Sequence, residues 1–112
     1  NAKNSIQVED IEDAKRIANM EKAIYEECMR NCQFGMSPDQ RQSLIDELRK
    51  ASDGTLIAFR NYEKGMFNGK SIRELVGKKD LSFLFYLSGQ ELHDRYPDTY
   101  DLDGCPINRR YA

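Results

Sequence analysis

The chain has 112 residues, a length that suits one domain with a single modest core. Hydrophobic residues make up 39% of it and charged residues 32%, a balance typical of globular proteins and too apolar for a disordered one. The 17 basic residues are outnumbered by 19 acidic ones, and this net charge of −2 argues against a general nucleic-acid binder. The basic pairs at 78–79 and 109–110 are too short to change that conclusion.

The segment Val8–Cys32 is predicted to form a long amphipathic helix, because it is the longest run without Gly or Pro and helix-forming residues dominate it. At 100° per residue its apolar side chains gather on one face, flanked by Ile17 and Ile24. That face consists of Ile11, Ala14, Ala18, Tyr25, Cys28, Met29 and Cys32. Glu21 interrupts it and is therefore a candidate interaction residue. In the alternative interpretation, this part of the face is only partly covered and the carboxylate reaches solvent or a basic partner.

A second helix is predicted over residues 37–52. Ser37 can cap its N-terminus, Pro38 suits the first helical position, and Gln40 completes a capping box. Asp53-Gly54 is expected to end the helix. The short link from the first helix, expected to end within 31–35, permits an antiparallel hairpin.

The C-terminal half is predicted to be mixed in structure. Residues 55–62 are rich in β-branched and aromatic side chains, which favours a strand, and the glycines within 63–69 favour a turn. Ser71 and Glu74 form a second capping-box pattern at the start of a short helix that Gly77 would end.

Residues 80–96 allow two interpretations. One is a single helix capped by Asp80; the other is a strand at 82–87 followed by a short helix that Ser88 caps. We favour the second, because Gly89 would cost about 1 kcal/mol in a helix interior. Pro97 ends this region, and turn signals at 103–106 predict a terminal hairpin or a clasp over the core.

These elements predict a single α+β domain over residues 1–112. It would contain a long N-terminal amphipathic helix, a second capped helix, and a C-terminal half built from a small antiparallel sheet or short helices. A mostly α fold is the alternative. No apolar run approaches the roughly 18 residues that a membrane span requires.

No pattern in the chain predicts catalysis, a cofactor or a metal. His93 is the only histidine and is interpreted as a surface helix residue. With Cys28, Cys32 and Cys105 it could nominally complete a zinc site, but the paired two-residue spacing of such sites is absent. The acidic residues at 98–103 do not match a calcium loop, since Thr99 and Arg110 would occupy positions that require carboxylates.

Three cysteines leave one thiol over if a disulfide forms. A bridge within one regular helix is disfavoured geometrically, so Cys105 is the predicted partner of Cys28 or Cys32. Such a bridge would tie the tail to the first helix. Three unlinked thiols are the alternative.

The start of the chain suggests processing. Asn1-Ala2 is interpreted as an expression-vector remnant, and we expect a signal peptide or membrane anchor to have preceded Lys3. The segment from Lys3 to Met29, with Asp13-Ala14-Lys15-Arg16-Ile17-Ala18 inside it, resembles the soluble half of the N-terminal helix of type IV pilins and pseudopilins. That resemblance implies a helix packed on a small antiparallel sheet, attached to the membrane only through a segment upstream of Lys3.

The leading hypothesis is an exported, non-catalytic structural subunit at the cell surface or outside the cell, which assembles with copies of itself through its N-terminal helix. The alternative is a cytoplasmic helical interaction or regulatory domain with a groove between its first two helices. A small enzyme or effector is the third hypothesis. The first two hypotheses imply a protein partner, a second copy in the leading one, and no nucleic-acid partner is expected.

Overall fold

The computed structural model describes residues 6–64, 69–77 and 80–107. These residues form five helices, which are α1 (Val8–Arg30), α2 (Pro38–Lys50), α3 (Asp53–Arg60), α4 (Ile72–Val76) and α5 (Ser82–Arg95). The Asn1-Ala2 start and the basic pairs at 78–79 and 109–110 lie outside the described ranges. None of the helices in these ranges has both the length and the apolar character needed to cross a membrane.

The α+β prediction is wrong. The described residues contain no sheet, and Tyr100 and Pro106 pair only as an isolated antiparallel bridge. The mostly α alternative is the observed class. The sheet implied by the resemblance to pilins is therefore absent from the described part of the chain.

The predicted strand at 55–62 is instead helix α3, the central element of the fold. It packs against both α1 and α5, and Thr55, Leu56, Ala58 and Phe59 are completely buried. The spacing of these four is that of one helical face, not the alternation of a strand. Ser52 caps the helix by accepting the backbone N–H of Thr55 at 3.2 Å.

Gly54, expected to end the second helix, lies instead in the first turn of α3. A side chain at this position would meet the carboxylate of Asp10, since an added Cβ would lie 2.1 Å from Asp10 Oδ2. The glycine allows the start of α3 to approach the start of α1. The same proximity of the two helix starts lets the Ser52 hydroxyl donate a hydrogen bond to Asp10 Oδ1 at 2.6 Å.

The capping boxes predicted at Ser37 and Ser71 are both present. Ser37 Oγ accepts the N–H of Gln40 at 3.1 Å, and Ser71 Oγ accepts the N–H of Glu74 at 3.1 Å. Gly77 ends α4 in the left-handed conformation, at φ 64°. The end of α1 also lies where the sequence predicted it, with Asn31 as its C-cap.

Residues 82–95 form one continuous helix, so the favoured division into a strand and a short helix is wrong. Gly89 is a packing position and not a boundary. The tail folds back on it, and an added Cβ at Gly104 would lie 2.2 Å from the Cα of Gly89. The tail therefore clasps α5, as one of the two sequence interpretations proposed.

A single cluster of buried apolar residues joins the five helices. Its largest completely buried side chain is Phe59 on α3. Ile17 and Ala18 contribute from α1, Leu44 and Leu48 from α2, Ile72 from α4, and Leu84 and Leu92 from α5. The core thus lies around α3, and α1 covers one side of it.

Candidate functional site

Glu21 is buried, with 1% of its surface exposed, so its carboxylate does not reach solvent. It lies on α1 one turn from Tyr25, whose environment it affects. Burial raises the pKa of the Tyr25 hydroxyl, and the charges of Glu21, Asp80 and Cys28 raise it further. Tyr25 therefore stays neutral at ordinary pH. The role of Glu21 in an interaction stays a prediction.

The three cysteines are free and lie in different environments. Cys28 is buried between α1 and α2, where its Sγ lies 3.5 Å from Gln40 Oε1. Cys32 is exposed just past the end of α1, and Cys105 is exposed in the tail. The bridge from Cys105 to Cys28 or Cys32 stays a prediction, which counting the thiols of the native protein would test.

His93 lies half-buried on α5 and connects that helix to the tail. Its Nδ1 lies 2.8 Å from the carbonyl oxygen of Tyr100. Because a carbonyl can only accept, Nδ1 is the donor in this hydrogen bond. The contact holds the ring in one orientation and ties residues 93 and 100 together.

The acidic tail residues also serve the local fold. Asp101 Oδ1 accepts the backbone N–H groups of Asp103 and Cys105, each at 2.9 Å. Within the described ranges, no three His, Cys, Asp or Glu side chains are arranged to hold a metal ion. A groove of about 540 Å³ at the start of α1 is lined by Glu9, Asp10, Glu12 and Asp13, but Arg16 already pairs with Asp13 there at 2.7 Å.

The clearest candidate site is an exposed apolar surface at the far end of α1. It consists of Tyr25, Met29, Cys32 and Phe34, and we call it the apolar tip. Their exposed fractions are 38% for Tyr25, 78% for Met29 and 104% for Phe34. Apolar side chains that extend fully into solvent at neighbouring positions are typical of interaction surfaces.

The apolar tip continues the core-facing side of α1. Ile11, Ala14 and Ala18 lie on the same helical face as Tyr25 and Met29, and those three are buried by the rest of the protein. Beyond Cys28 the same face is exposed. The helix therefore carries its apolar face further than the described part of the protein covers it.

The backbone that follows α1 holds the tip in an unusual conformation. Cys32 has a φ of 53°, and it is the one described residue other than glycine with a positive φ. Gly35 also has a positive φ, of 77°. Gln33 fixes the turn between them, since its side-chain amide donates to the Gly35 carbonyl and to Gln40 Oε1, each at 2.9 Å. Phe34 thus projects from a turn that is hydrogen-bonded on both sides.

Charges on α1 also differ between its two halves. In the first half, Lys15 pairs with Glu12 at 3.4 Å, and Arg16 pairs with Asp13 at 2.7 Å and with Glu47 on α2 at 2.9 Å. In the second half, no ion pair among described residues involves the four exposed charged residues Lys22, Glu26, Glu27 and Arg30. Two are basic and two acidic, so together they add no net charge to this half of the helix.

No protein-family model, curated protein or solved structure matches this chain. The expected relationship to type IV pilins therefore stays a prediction based on the residues of the first helix. A function has to be argued from the site itself.

Sequence patterns located Tyr25, Met29 and Cys32 on the apolar face of α1, but they could not show that this face is exposed there. Phe34 was not singled out at all. The signal for it was present, because Gly35 and the following Ser37-Pro38 pair leave no helix or strand in which an aromatic ring at 34 could be buried.

Proposed function

We propose that this chain is a non-catalytic protein that assembles with copies of itself through the apolar tip. The carrying observation is the exposure of Met29, at 78%, on the continuation of a face that is buried elsewhere along α1, and of Phe34, at 104%, in the turn that follows the helix. Burying an aliphatic or aromatic side chain of this size contributes about 1.5–3 kcal/mol. Burial of Met29 and Phe34 against a second copy would therefore favour association.

A second copy is the partner that the charges favour. Lys22, Glu26 and Arg30 lie along one flank of the exposed half of α1 and carry charges of both signs, so two identical surfaces can pair basic with acidic side chains. A two-fold contact formed by the apolar tip buries less surface area than a standard protein interface. We therefore expect a dissociation constant on the order of 100 μM. The exported location and the link to pilins stay part of the proposal, and neither is needed for the self-association.

Sedimentation velocity from about 1 μM to about 1 mM tests the proposal over the range where association at this strength becomes visible. We expect the weight-average sedimentation coefficient to rise with concentration. Phe34→Ser and Met29→Gln should each weaken association by about tenfold, because each removes about 1.4 kcal/mol or more of apolar burial. Both side chains are exposed, so circular dichroism and the unfolding midpoint should not change.

Leu102→Ser is the matched control, because Leu102 is 76% exposed but lies in the tail turn. It should associate like the parent chain. A protein that stays monomeric at the highest concentration would refute the proposal. So would equal effects of Leu102→Ser and Phe34→Ser, since association would then follow from general surface apolarity.

A further inference from the structure

A groove on the opposite part of the fold is formed by α3, α5 and the tail, and we call it the tail groove. Its volume is about 440 Å³, which lies within the range of small-molecule sites. Ile57, Phe85, Leu92 and Pro106 supply its apolar surface, and Arg60 and Lys64 supply its charge. An apolar cleft with a few convergent polar groups is the usual form of a ligand site.

Arg60 is held rigidly in this groove. Its Nη1 donates to the carbonyl oxygen of Phe85 at 2.8 Å, and its Nη2 donates to the carbonyl oxygen of Asp103 at 3.2 Å. The guanidinium carbon also lies 3.7 Å from the centre of the Phe85 ring. Because a guanidinium has five N–H donors, three remain for another acceptor.

No carboxylate of the described residues forms an ion pair with Arg60. Arg95, the other half-buried arginine at the α3–α5 side of the fold, pairs with Asp53 at 2.9 Å and with Glu91 at 3.0 Å. Arg60 differs from Arg95 in that its acceptors among the described residues are backbone carbonyls and not carboxylates, so its charge is available to an anionic ligand.

Lys64 adds a second cation to the same groove, and within the described residues it also forms no ion pair. The acidic residues next to Lys64 and in the tail turn make other contacts. Glu63 lies 4.0 Å from Arg73, and Asp101 accepts two N–H groups of its own turn. Asp103 is exposed and contributes its backbone carbonyl to Arg60. The residues outside the described ranges include no Asp or Glu.

We propose that the tail groove binds a small organic carboxylate with a compact apolar body. The carboxylate would lie beside Arg60 and Lys64, two cations that form no ion pair with any described residue. The apolar body would lie on Ile57, Tyr100 and Pro106, which line the groove and keep part of their surface exposed. An inorganic anion would leave this apolar surface exposed to water, and a neutral apolar compound would leave the two charges unmatched. The site lies away from the apolar tip and does not depend on the proposed self-association.

The experiment is an ¹H–¹⁵N titration of the full chain with 2-naphthoate, and with 2-naphthalenemethanol as a neutral compound of the same shape. The Phe34→Ser variant keeps the protein monomeric without altering the tail groove. We expect naphthoate to shift the amide signals of Lys64, Phe85 and Cys105, with a dissociation constant on the order of 1 mM or below. The alcohol should bind at least about tenfold more weakly, because it lacks the charge.

Lys64→Gln should weaken naphthoate binding about twofold to fivefold, and added salt should weaken it further. Lys50→Gln, which removes an exposed charge from α2, is the matched control and should have no effect. Equal binding of acid and alcohol would overturn the proposal, as would the absence of binding by both. The proposal would also be overturned if Lys64→Gln and Lys50→Gln weakened binding equally, because binding would then depend on the net charge of the protein and not on this groove.

The two exposed cysteines provide a second measurement. Cys105 lines the tail groove, whereas Cys32 lies in the apolar tip. Bound naphthoate should therefore slow the alkylation of Cys105 by iodoacetamide and leave the alkylation of Cys32 unchanged. Equal protection of both thiols, or of neither, would contradict binding at this site.

Discussion

Two adjacent small residues on α5, Ser88 and Gly89, are both buried, but they differ in how well they fit their surroundings. The hydroxyl of Ser88 has no hydrogen-bond partner among the described residues. Gly89 lies against the tail, and an added Cβ would meet the Asp103 carbonyl oxygen at 2.8 Å and Arg60 Nη1 at 2.4 Å. Ser88 therefore buries a hydroxyl without a hydrogen bond, whereas the site of Gly89 has no room for a side chain.

The substitution Gly89→Ala should therefore destabilise the protein, although alanine is the better helix former by about 1 kcal/mol. The carbonyl oxygen belongs to the backbone and Arg60 is held by two hydrogen bonds, so the tail would have to move. We expect a net loss of about 1–2 kcal/mol in the free energy of unfolding. Urea denaturation followed by circular dichroism measures it.

Ser88→Ala is the control, since it changes the neighbouring residue and removes only the unsatisfied hydroxyl. It should leave stability unchanged or raise it by up to about 1 kcal/mol. A Gly89→Ala protein that is more stable than the parent would show that the tail does not pack on α5 as described.

Between elements, Arg95 joins α5 to the end of α2. Its Nη2 lies 2.7 Å from the carbonyl oxygen of Ala51 and 3.0 Å from that of Arg49, groups that a helix leaves without partners at its C-terminus. The cation also faces the negative end of the α2 dipole. Burial lowers the pKa of Arg95, but hydrogen bonds to Asp53 and Glu91 outweigh that effect and the pKa lies above its ordinary value.

Arg95→Gln should lower the free energy of unfolding by about 2–4 kcal/mol, because it removes the charge and leaves carbonyls and two carboxylates without their donor. Arg95→Lys should lose less, since it keeps the charge but not the planar fork. Chemical denaturation measures both. Because the folded pKa lies above the ordinary value, the stabilisation is fully present below the unfolded pKa, as long as the carboxylate partners are ionised, and is lost as pH rises through the folded pKa. The effect of the substitution should therefore be equal at about pH 6 and about pH 9.

Arg49→Gln provides the comparison for this prediction. The side chain of Arg49 is 60% exposed, and its contact with Asp46 is long, at 3.9 Å. Its removal should cost less than about 0.5 kcal/mol. If Arg95→Gln proves equally mild, the link between α5 and the end of α2 contributes little to stability.

Among the helices, the sequence predicted those whose first residues include a side chain that caps the helix N-terminus. Ser37 and Ser71 begin α2 and α4 because a side chain at each position satisfies backbone N–H groups locally. The prediction failed for α3 because Thr55 and Phe59 suggested a strand by composition, while Asp53-Gly54 was interpreted as the end of α2. Gly54 and Gly89 are both explained by close approaches of distant segments, which local patterns do not contain.

For the whole molecule, the arrangement of two copies follows from the geometry of α1, and it rests on the proposed self-association. If two α1 helices pack antiparallel with Met29 on the two-fold axis, Arg30 of one copy lies two residues along the axis from Glu26 of the other. That is a separation of about 3 Å along the helix, which both side chains can span. Neither residue forms an ion pair within its own described chain.

The apolar face that supplies Met29 could be predicted from the sequence, because helical periodicity is a local property. The exposure of that face could not, because it depends on where α2 and α4 end against α1. The tail groove was inaccessible to sequence reasoning for the same reason. Its cations and its apolar surface come from segments between 57 and 106 that meet only in the folded chain.

The charge arrangement predicts a specific pattern of rescue. Glu26→Arg and Arg30→Glu should each weaken association about twofold to fivefold, since each replaces two symmetric attractions by repulsions at an exposed surface. The double variant restores opposite charges in both pairs and should recover the parent dissociation constant. Sedimentation equilibrium measures all four proteins. Exchanging Glu12 and Lys15, an ion pair at the other end of the same helix, is the control and should change nothing. Failure of the double variant to recover, with Phe34→Ser still disruptive, would reject the antiparallel register and leave the apolar tip as the contact.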